Sequence, residues 1–362
     1  MEDSIIHIKP ERPEPIILEE KPDKVTKKSN FRPVLEKLVS GGYVRIDDMY
    51  PTGLMVLSEL RKRLMEKKNK GDFKTYRNQR SEYHHASNRL LVPIENHRIA
   101  LRKSPEIGWL EKLYSDVNTY LLPFPKVQGL NSSWQWYQKG IQFPVLENKI
   151  YPYYGTYFPT RFDHLILFDK WLGKYQGNKT VAIDIGTGCG VLTFQILKHG
   201  FQHVHASDIN PNAVISVMEN ARNIGWNDHI SVRHGDLFDN IDQKGELIVF
   251  NPPWLPANKD TEGLDKAIYY EPELFERFFE SAGKYLTEDG KMVVLFSNLA
   301  QSTSVGSKHP MDEELHNHNR FKKVRVIKRK VKQGSKKTKR RDNRKQEYVE
   351  LWELEKKPAD EH

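Results

Sequence analysis

Val181 to Gly190 is the stretch that most restricts what this chain can fold into. It reads Val181-Ala182-Ile183-Asp184-Ile185 and then Gly186-Thr187-Gly188-Cys189-Gly190. A short, largely apolar run without alternation predicts a strand buried on both faces, as in a parallel sheet. Glycines at alternate positions directly after it predict a tight turn into a helix, where the backbone takes φ > 0 and a ligand can come close.

The residues that follow keep a strict alternation. Thr180–Ile185, His203–Asp208, Ile230–His234, Glu246–Phe250 and Met292–Phe296 read as strands, and Val191–His199, Pro211–Ile224 and Pro272–Leu286 as helices between them. Such alternation predicts an α/β fold with a doubly wound, mostly parallel sheet covered on both faces. Phe321–Lys332 and Glu347–Glu355 also read as strands, with no helix between them, so they predict a C-terminal antiparallel hairpin that brings the sheet to seven strands. If the first strand of that hairpin runs parallel to the others, its loop, residues 333–346, leaves at their carboxyl ends, where open α/β sheets bind ligands.

Before this domain, residues 1–30 hold four prolines among charges and little apolar content, which predicts a disordered tail. Residues 31–150 read as a smaller helical and aromatic-rich domain, with helices over Phe31–Ser40, Thr52–Lys68 and Pro105–Leu122 and a strand or hairpin over Gln142–Tyr154. The main domain is expected over 151–356. Its approach, Gly155 to Arg161, leads into a helix from about Phe162 to Leu172.

Charge is lopsided. The formal net charge is +9, but Lys322–Lys345 holds 14 Lys/Arg against one acid, and Arg61–Lys103 holds 13 against four, leaving the remainder acidic on balance. Two basic blocks on an otherwise acidic chain are expected of a surface that meets phosphate. A single cysteine, no apolar run of bilayer length and no signal-peptide pattern predict a cytoplasmic protein without a membrane partner.

Four motifs stand at four strand ends. They are Asp184 with Gly186, Thr187, Gly188 and Gly190 after the first strand, Asp208 at the end of the second, Gly235-Asp236-Leu237-Phe238 after the third, and Asn251-Pro252-Pro253-Trp254 after the fourth. A dinucleotide fingerprint needs its third glycine where Val191 stands. The row, from about Tyr154 to Ser297, resembles class I S-adenosylmethionine-dependent methyltransferases of the N-P-P-aromatic group. The resemblance implies S-adenosylmethionine as cofactor, no metal, Asp208 on the ribose hydroxyls, Asp236 and Leu237 at the adenine, and Arg161 facing the methionine carboxylate. It implies methyl transfer to a planar nitrogen held by Asn251 and Pro252, with Pro253 stiffening the loop and Trp254 stacking on the substrate.

The group contains adenine N6 enzymes acting on RNA or DNA and glutamine N5 enzymes acting on release factors. Trp254 in place of the second branch's usual Tyr enlarges the stacking surface, which favours a base. Lys336, Lys337, Lys339, Arg340, Arg341, Arg344 and Lys345 favour a phosphate-bearing partner, so the leading expectation is adenine N6 in structured RNA, with glutamine N5 of a translation release factor or ribosome-associated protein as the alternative. A non-catalytic cofactor- or RNA-binding module is a third possibility, disfavoured by the intact motifs.

Overall fold

The computed structural model describes residues 8–65, 73–257, 269–302, 309–331 and 347–357. The basic loop residues Lys336 to Lys345 lie outside them. The chain divides into two compact units, Glu11–Lys139 and a second that takes in everything from Gly140.

The first unit is helical, as expected of the smaller domain, and adds strands that its sequence did not announce. It has helices Phe31–Val39, Tyr50–Met65, Phe73–Ser87, Trp109–Leu113 and Phe124–Lys139, but also a five-stranded sheet built on Leu90–Glu95. Val44–Ile46 runs parallel to Leu90–Glu95, while Arg98–Ile99 and Thr119–Pro123 run antiparallel to it. The helix expected over Pro105–Leu122 breaks after one turn because Thr119–Pro123 is taken as a strand partner. Of the tail expected as disordered over 1–30, residues 1–7 lie outside the described residues, and the chain from Glu11 on belongs to the first unit instead. Asp23–Val25 pairs with Val44–Ile46, Ile16 N–H donates to the Leu121 carbonyl, and the Arg12 guanidinium bonds Asp116 and the Leu113 carbonyl. The low apolar content of these residues misled because backbone pairing and the ion pairs Arg12–Asp116, Lys24–Asp47 and Asp23–Lys37 tie them down instead.

The boundary falls at Gly140 rather than 150. Trp134, Trp136 and Tyr137 therefore belong to the helix Phe124–Lys139, and the stretch expected as a hairpin over 142–154 reduces to a single bridge between Ile141 and Ile150.

The second unit is built on a seven-stranded sheet: β1 Val181–Ile185, β2 His203–Asp208, β3 Ile230–His234, β4 Gly245–Phe250, β5 Leu286–Ser297, β6 Phe321–Lys330 and β7 Tyr348–Lys356. Their order is β3-β2-β1-β4-β5-β7-β6. All pairs from β3 to β5 are parallel, β7 is antiparallel to both its neighbours, and β6 thus runs with the first five. This is the doubly wound α/β sheet with its C-terminal hairpin.

Four helices matter for the site: α1 Asp163–Leu172, α2 Val191–Lys198, α3 Pro211–Ile224 and α4 Leu274–Tyr285. Strand residues alternate between two cores. Ala182, Leu247, Val249, Val293 and Leu295 pack with Phe168 of α1 and Phe194 of α2 on one face. Ile183, Ile185, Ile248, Phe250, Val294 and Phe296 pack with Phe275, Phe278 and Phe279 of α4 on the other. Burying both faces is what makes these strands continuous apolar runs.

Candidate functional site

The carboxyl ends of β1, β2, β3 and β4 sit side by side, so the four motifs come together there. Gly186, Gly188 and Gly190 have φ of +66°, +54° and +84°. A Cβ at Gly188 would lie 3.1 Å from the Tyr157 carbonyl oxygen, and one at Gly190 2.8 Å from Phe194. The loop therefore requires glycine on two counts, backbone conformation and space. Beneath it, Asp184 is fully buried, its Oδ2 accepts a 2.6 Å hydrogen bond from Thr193, and Thr193 in turn meets the Thr187 hydroxyl at 2.9 Å. Burial pushes the Asp184 carboxyl up to about 6, against the opposing hydrogen bonds from the two threonines. Asp184 Oδ2 and Thr187 thus brace the loop from inside through Thr193, while Asp184 Oδ1 keeps a free acceptor among the described residues. Cys189 is 1% exposed and burial pushes its thiol up to about 12, which fits a space-filler.

Asp208 ends β2 facing this loop. One oxygen accepts the Gly188 N–H at 2.8 Å and the other the Asn210 N–H at 2.9 Å. A carboxylate has about four acceptor sites, so one is left on each oxygen for a pair of hydroxyls. Burial raises the Asp208 carboxyl above its ordinary range, with the two backbone donors opposing.

The approach segment is fastened over the loop by α3. The Asn210 amide donates to the Gly155 carbonyl, Thr156 Oγ1 to the Asn212 carbonyl, the Tyr153 N–H to Ser216 Oγ, and the Tyr151 N–H to Asn220 Oδ1. Asn212, Ser216 and Asn220 recur every four residues, one buried polar stripe along a single helix face. The strap ends where the Cys189 N–H donates to the Tyr157 carbonyl at 3.1 Å. Arg161, expected to face the cofactor's carboxylate, instead places its guanidinium 2.9 Å from Glu347, at the base of the hairpin.

After β3, Leu237 holds φ of +51°, a strained value for a bulky residue. Ser207 Oγ fixes it by donating to the Leu237 carbonyl at 2.5 Å. The Asp236 carboxylate accepts from Arg277 of α4, which leaves its second oxygen for a ligand.

After β4, Asn251 Oδ1 is a buried acceptor with no hydrogen-bond partner among the described residues. Trp254 Nε1 is a buried donor in the same condition. The Trp254 indole packs against both cores and stands edge-on to His164, with ring centroids 5.4 Å apart at 86°. Pro256 pairs with Tyr270, and the Ala257 N–H donates to the Tyr270 carbonyl, which fixes the exit of the loop.

The hairpin base lies at the same end of the sheet. Val331 N–H donates to the Glu347 carbonyl, so the chain leaves β6 and re-enters β7 at the carboxyl ends of the parallel strands. Along β6, Arg325, Lys328 and Arg329 are paired with Glu353, Glu350 and Asp163.

A family model, the methyltransferase small domain, matches residues 168–330. Residues 168–330 thus carry a methyltransferase domain of the class I, S-adenosylmethionine-dependent kind. A protein of Methanocaldococcus jannaschii provisionally named an N5-glutamine methyltransferase is 35% identical over 129 residues, covering 34% of this chain and 64% of the relative. The release factor glutamine methyltransferase of Streptococcus pneumoniae is 32% identical over 123 residues, covering 31% of this chain and 43% of the relative. The chain thus spans less than two thirds of either relative's length. Among solved structures, the ribosomal protein L11 methylase of Lactobacillus delbrueckii subsp. bulgaricus superposes with a TM-score of 0.37 at 19% identity, covering 54% of this chain and 78% of that one.

The methyltransferase domain takes S-adenosylmethionine, and its residues fit that group. The glycine loop admits a close approach, Asp208 keeps an acceptor site on each oxygen, and Asp184 Oδ1 is a buried acceptor without a partner among the described residues. Asn210, Ser207, Arg277 and His164 touch motif residues without belonging to the motifs. Asn210 was findable, since Asn before Pro at a helix start is a capping signal. His164 carries no such signal. No helix among the described residues is long and apolar enough to cross a membrane, and no cluster of three or more His, Cys, Asp or Glu among them could hold a metal.

Proposed function

We propose that the methyltransferase domain methylates the side-chain amide nitrogen of a glutamine in a protein of the translation apparatus. The observation that carries this is Asn251 Oδ1, a buried acceptor left without a partner at the carboxyl end of β4. Buried polar groups are almost always bonded, and an unmet one costs about 1–3 kcal/mol, so its partner is best supplied by a substrate.

A primary amide nitrogen is a poor nucleophile because its lone pair is delocalised into the carbonyl. Asn251 Oδ1 and the Pro252 carbonyl each accept one N–H, which holds the nitrogen and turns its lone pair out of conjugation. Pro252 and Pro253 keep the loop stiff and bring no backbone donor to compete. Bound S-adenosylmethionine supplies the activated methyl group. Asn251 is neutral and removes no proton beforehand, so the nitrogen loses its proton to water after the transfer.

Two features favour an amide over a base. Both glutamine-methyltransferase relatives above bear that name. Trp254 is also already packed against both cores and His164, so less of its ring area is left to stack on an adenine. Incubating the protein with S-adenosylmethionine and a release-factor and ribosomal-protein fraction, followed by peptide mass spectrometry, should find one added methyl on a glutamine. Methylation confined to lysine or arginine would defeat the proposal.

One observation favours a second substrate, adenine N6 in structured RNA. Seven of the 14 Lys/Arg between Lys322 and Lys345 fall in residues 333–346, a stretch whose two ends lie at the catalytic side of the sheet. N6-methyladenosine in digested RNA from the same incubation would support it.

A further inference from the structure

His164 is the second residue of α1 and lies 2% exposed against Trp254. Neither of its ring nitrogens has a hydrogen-bond partner among the described residues, and the same holds for Trp254 Nε1. A residue whose only task was to fill this space would be better as Phe or Leu, since each unmet buried polar atom costs stability. The two orphans are chemically matched. An indole N–H only donates, and a neutral imidazole always keeps one accepting nitrogen.

The imidazole is held neutral. Burial pushes it down to about 4, and the neighbouring Asp163 opposes this only in part. Asp163 is itself committed, accepting a 3.1 Å hydrogen bond from Arg329 of β6, which pins the start of α1 to the sheet. His164 therefore sits on a fixed element beside a loop that must hold a substrate in one attitude.

We propose that His164 is a positioning residue for methyl transfer: its imidazole is the hydrogen-bonding partner of the Trp254 indole when substrate is bound, and so fixes the aromatic wall beside the nitrogen that Asn251 holds. The rings already lie in contact, with centroids 5.4 Å apart, and the pairing satisfies the Trp254 N–H and one of the two His164 nitrogens. It rests on the methyl-transfer proposal above. It adds that transfer depends on a residue from α1, outside the four motifs.

The test compares wild type with His164→Phe and His164→Gln, using radiolabelled S-adenosylmethionine and total protein and total RNA from cells lacking the gene. His164→Phe keeps the ring packing and removes the nitrogens; Gln restores a hydrogen-bonding group. His164→Phe should unfold at the same temperature as wild type or higher, bind the cofactor equally, and lose kcat at least about tenfold with little change in KM. His164→Gln should recover part of that loss. If His164→Phe folds, binds cofactor and turns over like wild type, the imidazole is a space-filler and the inference is wrong. If His164→Phe does not fold, His164→Gln decides: kcat like wild type with the fold retained would support a hydrogen-bonding role, and loss of fold there too would overturn it in favour of a packing one. Wild type that labels neither fraction would overturn the methyl-transfer proposal itself, and this one with it.

Discussion

The backbone N–H of Gly188 donates to Asp208 Oδ2 at 2.8 Å, which ties the glycine loop after β1 to the acid that ends β2. The same carboxylate accepts the Asn210 N–H, so one side chain organises both the loop and the start of α3. Asp208→Ala should weaken S-adenosylmethionine binding by about 1.5–3 kcal/mol, since charge-assisted bonds to the ligand are lost and two backbone donors lose their acceptor. Titration calorimetry measures it. An unchanged dissociation constant would remove Asp208 from the cofactor site.

Two glycines of the loop should respond differently to alanine. At Gly190 a Cβ would come within 2.8 Å of Phe194 and 3.0 Å of Val217, whereas at Gly186 its nearest neighbour is Phe250 at 3.6 Å. Both positions carry the left-handed penalty of roughly 1–2 kcal/mol, but only Gly190 adds a clash. Denaturant unfolding should therefore place Gly190→Ala below Gly186→Ala in stability by at least about 1 kcal/mol. Equal losses would mean that the loop relaxes around both.

Two buried carboxylates should link stability to pH with opposite signs. The folded carboxyl of Asp184 is raised to about 6 from 3.8, so its charge costs stability at neutral pH and the cost disappears as pH falls through that window. Asp184→Asn should stabilise the cofactor-free protein near neutrality, by on the order of 2 kcal/mol, with the difference vanishing towards pH 4. Glu350 behaves in the opposite sense. Burial alone would raise it, but His309 at 2.9 Å, off the line of a good hydrogen bond, together with Lys328 at 3.0 Å and Trp352 Nε1 at 2.7 Å, brings it down to about 2 from 4.5. Its contribution is complete above pH 4.5 and is lost as pH falls towards 2, so Glu350→Gln should destabilise near neutrality and match wild type in strong acid. Unfolding midpoints measured across pH check both, and parallel curves for all three proteins would contradict both signs.

The basic hairpin makes a separate prediction about the partner. If Lys336, Lys337, Lys339, Arg340 and Arg341 neutralise about five phosphates, binding to structured RNA or ribosomes should fall with salt at a log–log slope near −4. Replacing the five with serine should flatten that slope and leave cofactor affinity untouched. A slope unaffected by the substitutions would place the nucleic-acid contact elsewhere.

How much of this was legible in the sequence differs between the two units. In the second unit, β2, α3 and β3 begin and end where their residues predicted, because each is a run of five or more residues closed by a Gly or an acid. In the first unit, strands of three residues such as Val44–Ile46 are too short to show a period, and Pro93 inside Leu90–Glu95 argues against a strand that is nonetheless there. Within the site, the motif residues were visible because a tight turn with φ > 0 and a stiff Asn-Pro-Pro loop need particular residue types. The side chains that hold those motifs were not. The Asn212, Ser216 and Asn220 stripe looks like an ordinary solvent face until the approach segment is seen to cover it. Arg161 shows the converse, since an arginine beside a cofactor site is also within reach of any nearby acid, and here Glu347 takes it. The preference for a base drawn from Trp254 assumed a free ring, whereas the indole is already packed on both cores.

The most direct measurement is methyl transfer from radiolabelled S-adenosylmethionine into total protein from cells lacking the gene, with wild type and Asn251→Ala side by side. The prediction is label in one protein band that acid hydrolysis returns as methylamine, lost about 10²–10³-fold in Asn251→Ala while cofactor binding and thermal stability are retained. Equal labelling by the two proteins, or label that hydrolysis returns as a methylated lysine or arginine, would contradict the account.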